Sequence, residues 1–349
     1  MTRLLRIALL VAALAFPAQA LAGRGLIVGV DDDSLKWHAH PSSFVATYRD
    51  LGVRAVRVTL GWQPRQWTPT RTDRTSLNRV ASAAPFVRIV LAVTGPASSP
   101  PLDASARDTY CGYVSNVLRR YPQIHDVVVW TEPNSSQFWR PQQGASAAYE
   151  ALLARCWDVL HTLHRDVSVI AASAPHHDPA AWYQGLARAY KASARTARLY
   201  DIVGHNAYPE RSAEPPSAVH KGAKSIDEGD YARLVDVLRA AWKGTGQPLV
   251  PIWYMEDGFQ TSPARRLYSG TETDRAPVSP ELQATQLAAA VRLAYCQPLV
   301  GAFFNFELVD ERDLHGWQSG LLWPDFSRKP AYGAFKRAIA DVARGAVRC

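Results

Sequence analysis

The sequence predicts a (β/α)8 barrel forming a single domain. Short strand-like runs recur eight times, amphipathic helical stretches separate them, and no linker or low-complexity segment divides the chain. The strand-like runs fall near 26–31, 55–60, 87–94, 126–131, 168–173, 201–206, 249–255 and 300–306. Each is rich in Val, Ile, Leu or aromatic residues, as expected of parallel strands covered on both faces. Helical periodicity is clearest near 106–120, 146–165, 231–242, 281–296 and 330–343. The polar, Pro-containing stretches 207–227 and 259–280 read as long strand-to-helix loops, which wall the mouth of a barrel. An open doubly wound sheet is the competing arrangement. It usually carries a glycine-rich phosphate turn after its first strand, and Ile27-Val28-Gly29-Val30-Asp31-Asp32-Asp33 supplies none.

The first 22 residues are expected to be a leader outside the fold, leaving 23–349 as the barrel. Arg3 and Arg6 form a basic start, Ile7 to Phe16 is an apolar core, and Ala18-Gln19-Ala20 and Ala20-Leu21-Ala22 are small-x-small cleavage sites. The apolar core is too short to span a bilayer, so export to a periplasmic or extracellular compartment is expected rather than anchoring. Four cysteines, Cys111, Cys156, Cys296 and Cys349, fit that compartment as disulfides, although four permit three pairings. Consecutive barrel helices are neighbours, which favours Cys111–Cys156 and Cys296–Cys349. The net charge of +8 is spread without a basic cluster, so it gives no nucleic-acid footprint. The mature chain is expected to be a monomer off the membrane.

Two carboxylates occupy matching positions. Glu132 ends Val127-Val128-Val129-Trp130-Thr131-Glu132, and Glu256 ends Val250-Pro251-Ile252-Trp253-Tyr254-Met255-Glu256. Strands four and seven lie on opposite sides of a barrel, so both acids could face one another across its C-terminal mouth. A facing acid pair is the minimal machinery for cleaving a glycosidic bond. Arg57 in strand two could hold Glu256 ionised, and Tyr208 after strand six could hydrogen-bond it. Trp37, Trp62, Trp139 and Trp317 fall at strand ends or in loops, where their faces would suit sugar rings. Each residue also has a bland reading: a strand-end Glu is commonly solvated or ion-paired, and tryptophan packs cores. Their joint placement carries the inference.

These segments resemble clan A glycoside hydrolases, most closely in the style of families 39 and 5. Trp130-Thr131-Glu132-Pro133-Asn134 looks like their Trp-Asn-Glu-Pro-Asn signature, and Met255-Glu256-Asp257-Gly258-Phe259 is similar to their nucleophile segment. The Arg57 strand, His205-Asn206-Ala207-Tyr208 and Lys329-Pro330-Ala331-Tyr332 match the same clan. The resemblance implies retaining hydrolysis of β-glycosides in a carbohydrate substrate, without a cofactor or metal. Glu132 would be the acid/base and Glu256 the nucleophile. Arg57, Trp62, Thr131, Asn134, His205, Asn206, Tyr208 and Trp37 form the expected substrate-binding set. The chain departs from the pattern twice. Thr131 stands where the family has the asparagine that contacts the sugar 2-hydroxyl, and strand eight, 302–307, lacks the tryptophan common there.

Two other classes use the same barrel. A metal-dependent amide or ester hydrolase would draw ligands from His38, His40, His176, His177, His205 and Asp310. A polysaccharide-binding barrel that does not cut would be consistent with Thr131 in the asparagine position.

Overall fold

The computed structural model describes residues 25–349 apart from 39, 164–165, 264 and 273–275. The leader expected at 1–22 lies outside the described residues. Eight parallel strands close in sequence order into a barrel: β1 (Ile27–Asp31), β2 (Ala55–Gly61), β3 (Arg88–Thr94), β4 (Asp126–Val129), β5 (Ser168–Ser173), β6 (Ile202–Asn206), β7 (Ile252–Asp257) and β8 (Val300–Phe306). Helices follow each strand: α1 (Ser34–Trp37) and α2 (Pro41–Leu51) after β1, α3 (Arg71–Ala83), α4 (Ala104–Arg120), α5 (Ala145–Leu163), α6 (Pro179–Ala192), α7 (Tyr231–Trp242), α8 (Pro280–Tyr295) and α9 (Pro330–Ala343). This is a single-domain (β/α)8 barrel. Among the described residues, no helix is long and apolar enough to cross a membrane.

Local chemistry starts the helices where the chain must turn back. Thr70 and Asp73 form a reciprocal capping box on α3, while Asp103, Asp178 and Ser279 accept from the third residue of α4, α6 and α8. Pro179, Pro280 and Pro330 open their helices, where a missing N–H costs nothing. The barrel interior is filled from the strands alone, by Ala55, Val90, Ala92, Val128, Ile170 and Phe304 among others. Packing there is complementary: a Cβ on Gly29 would lie 2.6 Å from the Phe304 ring. A second, larger apolar layer joins the outer strand faces to the helices.

Two strand ends differ from the sequence expectation. β4 stops at Val129 because Trp130 and Glu132 adopt left-handed backbone, with φ of 65° and 38°. β7 begins later and runs through Asp257. It also bulges: His205 pairs with Tyr254 and Asn206 with Glu256, so Met255 is an extra residue against β6. A bulge re-aims the side chains that follow it. Met255 joins the barrel interior, Glu256 opens onto the cleft at the barrel mouth, and Asp257 turns to the opposite side.

Both disulfides pair as the helix order suggests, Cys111 with Cys156 and Cys296 with Cys349. The first closes 45 residues between α4 and α5. Chain-entropy arithmetic for such a loop gives about 4 kcal/mol. A Cys111→Ser/Cys156→Ser chain is therefore expected to unfold at lower denaturant concentration by about that free energy, checked by equilibrium urea unfolding. An unchanged midpoint would show that the link does not constrain the unfolded chain.

Candidate active site

Glu132 is carried on a loop whose backbone is held in an uncommon conformation. Left-handed backbone at a non-glycine residue costs on the order of 1–3 kcal/mol and persists only where the surroundings over-determine it. Here they do. The Trp130 N–H donates to Val93 O at 2.9 Å and to the Tyr110 hydroxyl at 3.0 Å, while that hydroxyl donates to Val93 O at 2.6 Å. The Trp130 ring packs edge-on to Trp62 and Trp139 and donates from Nε1 to Phe138 O at 2.8 Å. Gly95 makes room for it, since a Cβ there would sit 2.9 Å from the ring. On the other side of β4, Tyr149 repeats the bridge, donating to Val129 O and accepting from Ala172 N.

The two glutamates line one open cleft of about 840 Å³ at the C-terminal ends of the strands. Their environments differ. One Glu132 oxygen accepts from Asn206 Nδ2 at 2.7 Å. Burial, followed by the nearby charge of Glu256, raises the Glu132 carboxyl from its ordinary 4.5 to about 7. Glu256 instead receives Arg57 Nη1 at 2.8 Å on one oxygen and the Tyr208 hydroxyl at 3.1 Å on the other. The same Arg57 nitrogen also pairs with Asp31, which is level with it across the β1–β2 register. Burial opposes the guanidinium charge, but the carboxylates of Asp31 and Glu256 outweigh it and hold Arg57 above its ordinary pKa. One acid is thus poised to hold a proton near neutrality, while the other is gripped by a cation and a hydroxyl.

The remaining expected residues divide by placement. Thr131 lines the cleft, and its buried hydroxyl has no hydrogen-bond partner. Asn206 reaches the site through Glu132. Asn134 does not line the cleft. It staples the Glu132 loop to the loop after β5, donating to Ala174 O at 3.0 Å and His177 O at 3.2 Å and accepting from Ala174 N at 2.8 Å. His205 is fully buried beneath the mouth between Ser173 Oγ (2.9 Å) and Ile226 O (2.7 Å). Burial lowers its pKa to about 4, so the ring is neutral and donates from Nε2 to the carbonyl. Trp62 and Trp139 are core residues behind the Glu132 loop, and Trp37 lies on the surface away from the cleft, 66% exposed.

The cleft also contains Asp31 and Phe306, which the sequence reading did not single out. Asp31 could have been found from its position at the end of β1, beside Arg57. Phe306 ends β8, and Trp317, the one of the four expected tryptophans that lines the cleft, follows it in the next loop. Trp317 lies 5.1 Å from the Tyr208 ring and 5.4 Å from that of Phe306, giving an aromatic wall beside Glu256.

The six residues of the metal-hydrolase reading do not converge. His38 packs on Phe44 and Phe326 in a separate surface hollow with His40, and Asp310 is buried against Lys329 at 3.0 Å. Only His176 and His177 of the set line the cleft. Among the described residues, the one His/Cys/Asp/Glu group close enough to hold a metal is Glu214, His220 and Asp227, in the loop between β6 and α7.

A closed parallel barrel whose fourth and seventh strands deliver glutamates to one mouth has the fold of the clan A glycoside hydrolases. Known structures agree. A family 39 glycoside hydrolase from Bacteroides cellulosilyticus WH2 superposes with a TM-score of 0.66 at 16% identity, over 91% of this chain and 64% of that one. A monomeric β-xylosidase from Caulobacter crescentus CB15 gives 0.59 at 19% identity, over 89% of this chain and 67% of that one. The GH53 catalytic domain from Ignisphaera aggregans gives 0.61 at 12% identity, covering 90% and 96%. No protein-family model and no curated protein sequence matches the chain.

Proposed function

We propose that this chain is a retaining glycoside hydrolase that cleaves β-type O-glycosidic bonds of an oligo- or polysaccharide. The observation that carries the reading is the division of labour between two glutamates in one cleft: Glu132 near pKa 7, and Glu256 held by Arg57 and Tyr208. In the first step a Glu256 oxygen attacks the anomeric carbon as the bond to the leaving oxygen breaks. That oxygen takes the proton from Glu132, giving an alcohol and a glycosyl ester on Glu256. Formation of the ester removes the negative charge that raised Glu132, so its acidity shifts toward that of a base. Glu132 then takes a proton from water while the water oxygen displaces Glu256 from the anomeric carbon.

Asn206 orients Glu132, and the unpartnered Thr131 hydroxyl is the group offered to a sugar hydroxyl where the family uses asparagine. Trp317 and Phe306 provide the aromatic surface that the strand-eight tryptophan gives elsewhere in the clan. Asn134 and His205 act by fixing the loops around the acids. The two disulfides support export through the leader at 1–22, and the monomeric β-xylosidase supports a monomer.

The decisive experiment is a screen of aryl β-glycosides and polysaccharides, followed by NMR of the first product from any substrate turned over. The β anomer should appear first and mutarotate later. Initial release of the α anomer would overturn the double displacement. Binding without turnover, unchanged in Glu132→Gln and Glu256→Gln chains, would favour the non-cutting barrel.

A further inference from the structure

Behind the catalytic wall stands a pair of acids that the double displacement does not use. Glu228 and Asp257 are 2% and 0% exposed, and their carboxyls are hydrogen-bonded to each other. Two ionised carboxylates offer acceptors and no donor, so such a bond requires a proton. The surroundings point the same way. Among the described residues neither acid forms an ion pair; His220, which borders the same small hollow, lies 3.3 Å from Glu214 and 3.4 Å from Asp227 instead. Their other partners are backbone N–H groups, that of Gly258 on Asp257 at 2.7 Å and that of Ala294 on Glu228. Two buried acids without a cation cannot both ionise. Burial, then the charge of Asp257 and the bond to it, holds Glu228 well above the carboxylate range. Burial lifts Asp257 too, but the bonds from Gly258 and Glu228 oppose it, so the proton resides on Glu228.

This pair closes a ring around the backbone of Glu256. Ala207 donates its N–H to Glu256 O at 2.8 Å, and its carbonyl accepts from Glu228 N at 3.3 Å. The Glu228 carboxyl then reaches Asp257, the residue after Glu256. The Glu228 carbonyl is tied back to the same strand as well. It accepts from Gln297 Nε2 at 3.0 Å, and Gln297 Oε1 accepts from the Tyr254 hydroxyl of β7 at 2.6 Å. Glu228 therefore grips β7 on both sides of Glu256. The residue after Ala207 is Tyr208, whose hydroxyl donates to Glu256 Oε2 at 3.1 Å. The ring fixes both the strand that bears the acid and the hydroxyl that orients it.

We propose that Glu228 is a positioning residue for the nucleophile, donating a hydrogen bond to Asp257 that keeps Tyr208 and Glu256 in register. The role rests on the assignment of Glu256 made above. Glutamine at 228 would keep the size and a donor at this point, whereas alanine would remove both.

The test compares the full-length Glu228→Ala and Glu228→Gln chains with wild type. Glu228→Ala should lower kcat by about 10²-fold, the scale on which a displacement of roughly 1 Å acts, with KM little changed because Glu228 does not line the cleft. Glu228→Gln should recover most of that loss, since its amide donates to Asp257 without an added proton. Crystal structures should show the Tyr208–Glu256 contact broken in the alanine chain and kept in the glutamine chain. At alkaline pH, where Glu132 is ionised, the infrared carboxylic-acid band of the wild type should exceed that of Glu228→Gln by one group. This measurement decides the matter if the alanine chain fails to fold. An unchanged kcat in Glu228→Ala, a loss in Glu228→Gln as large as in Glu228→Ala, or no infrared difference would overturn the role. The crystal and infrared results are read without glycoside turnover. A chain that gives both and cleaves nothing would overturn the proposed function and leave the hold of this pair on Tyr208 standing.

Discussion

Glu256→Ala is expected to lower kcat by at least about 10⁴-fold, the scale on which removal of an enzymatic nucleophile acts. The side chain sits between Arg57 and Tyr208, so the truncated site keeps a cation and a hydroxyl facing the space where the carboxylate stood. Azide can enter that space. On an activated β-glycoside it should restore turnover and yield the α-glycosyl azide, identified by NMR. A second signature separates loss of the nucleophile from general damage. Glu256 helps to raise the Glu132 pKa, so with a substrate whose leaving group needs a proton the alkaline limb of the rescued reaction should move to lower pH in the variant. Full activity without added nucleophile would sink the assignment.

Glu132→Gln is expected to lower kcat/KM by about 10²–10⁴-fold for substrates with poor leaving groups, the usual contribution of a positioned general acid. Substrates whose leaving group needs no proton should suffer far less in the first step. The wild type should lose activity as pH rises through about 7, because the acid form of Glu132 is then titrated away, and that limb should vanish in the variant.

Stability should move the other way. A folded pKa raised from 4.5 to about 7 gives stability that is fully present below pH 4.5 and is lost as pH rises through 7. At pH 8 the buried carboxylate costs at most about 3 kcal/mol, which the neutral glutamine avoids. The variant should therefore melt higher than wild type at pH 8 and alike at pH 4, measured by calorimetry. An equal Tm at both pH values would show that Glu132 is not held in the protonated state.

The barrel was legible because its signal is repeated. Eight apolar runs alternating with helical periods leave few arrangements, and each boundary missed by a residue or two changes nothing in the topology. The glutamates were legible because strand ends are fixed points. Tryptophan was not. Trp62 and Trp139 have the same chemistry as Trp317, yet two pack behind a loop and one lines the cleft, and that choice depends on which way the chain turns after its strand. The facing of Glu256 was expected from its place at a strand end, but the bulge that produces it was hidden. Regular alternation from Trp253 and Met255 would send Asp257 inward and Glu256 out; the bulge, which no composition announces, reverses them. Asp31 was overlooked because its meaning is relational, residing in the β1–β2 register rather than in its own neighbourhood.

Tyr110 and Tyr149 extend from two outer helices to clamp β4 on either side, just before the turn into Glu132. Cys111 immediately follows the first of them, and its bond to Cys156 crosses between those same helices. The crosslink and the proposed proton donor therefore belong to one lever. The helices set the gap between the tyrosines, the tyrosines set the pitch of the loop, and the loop aims the acid.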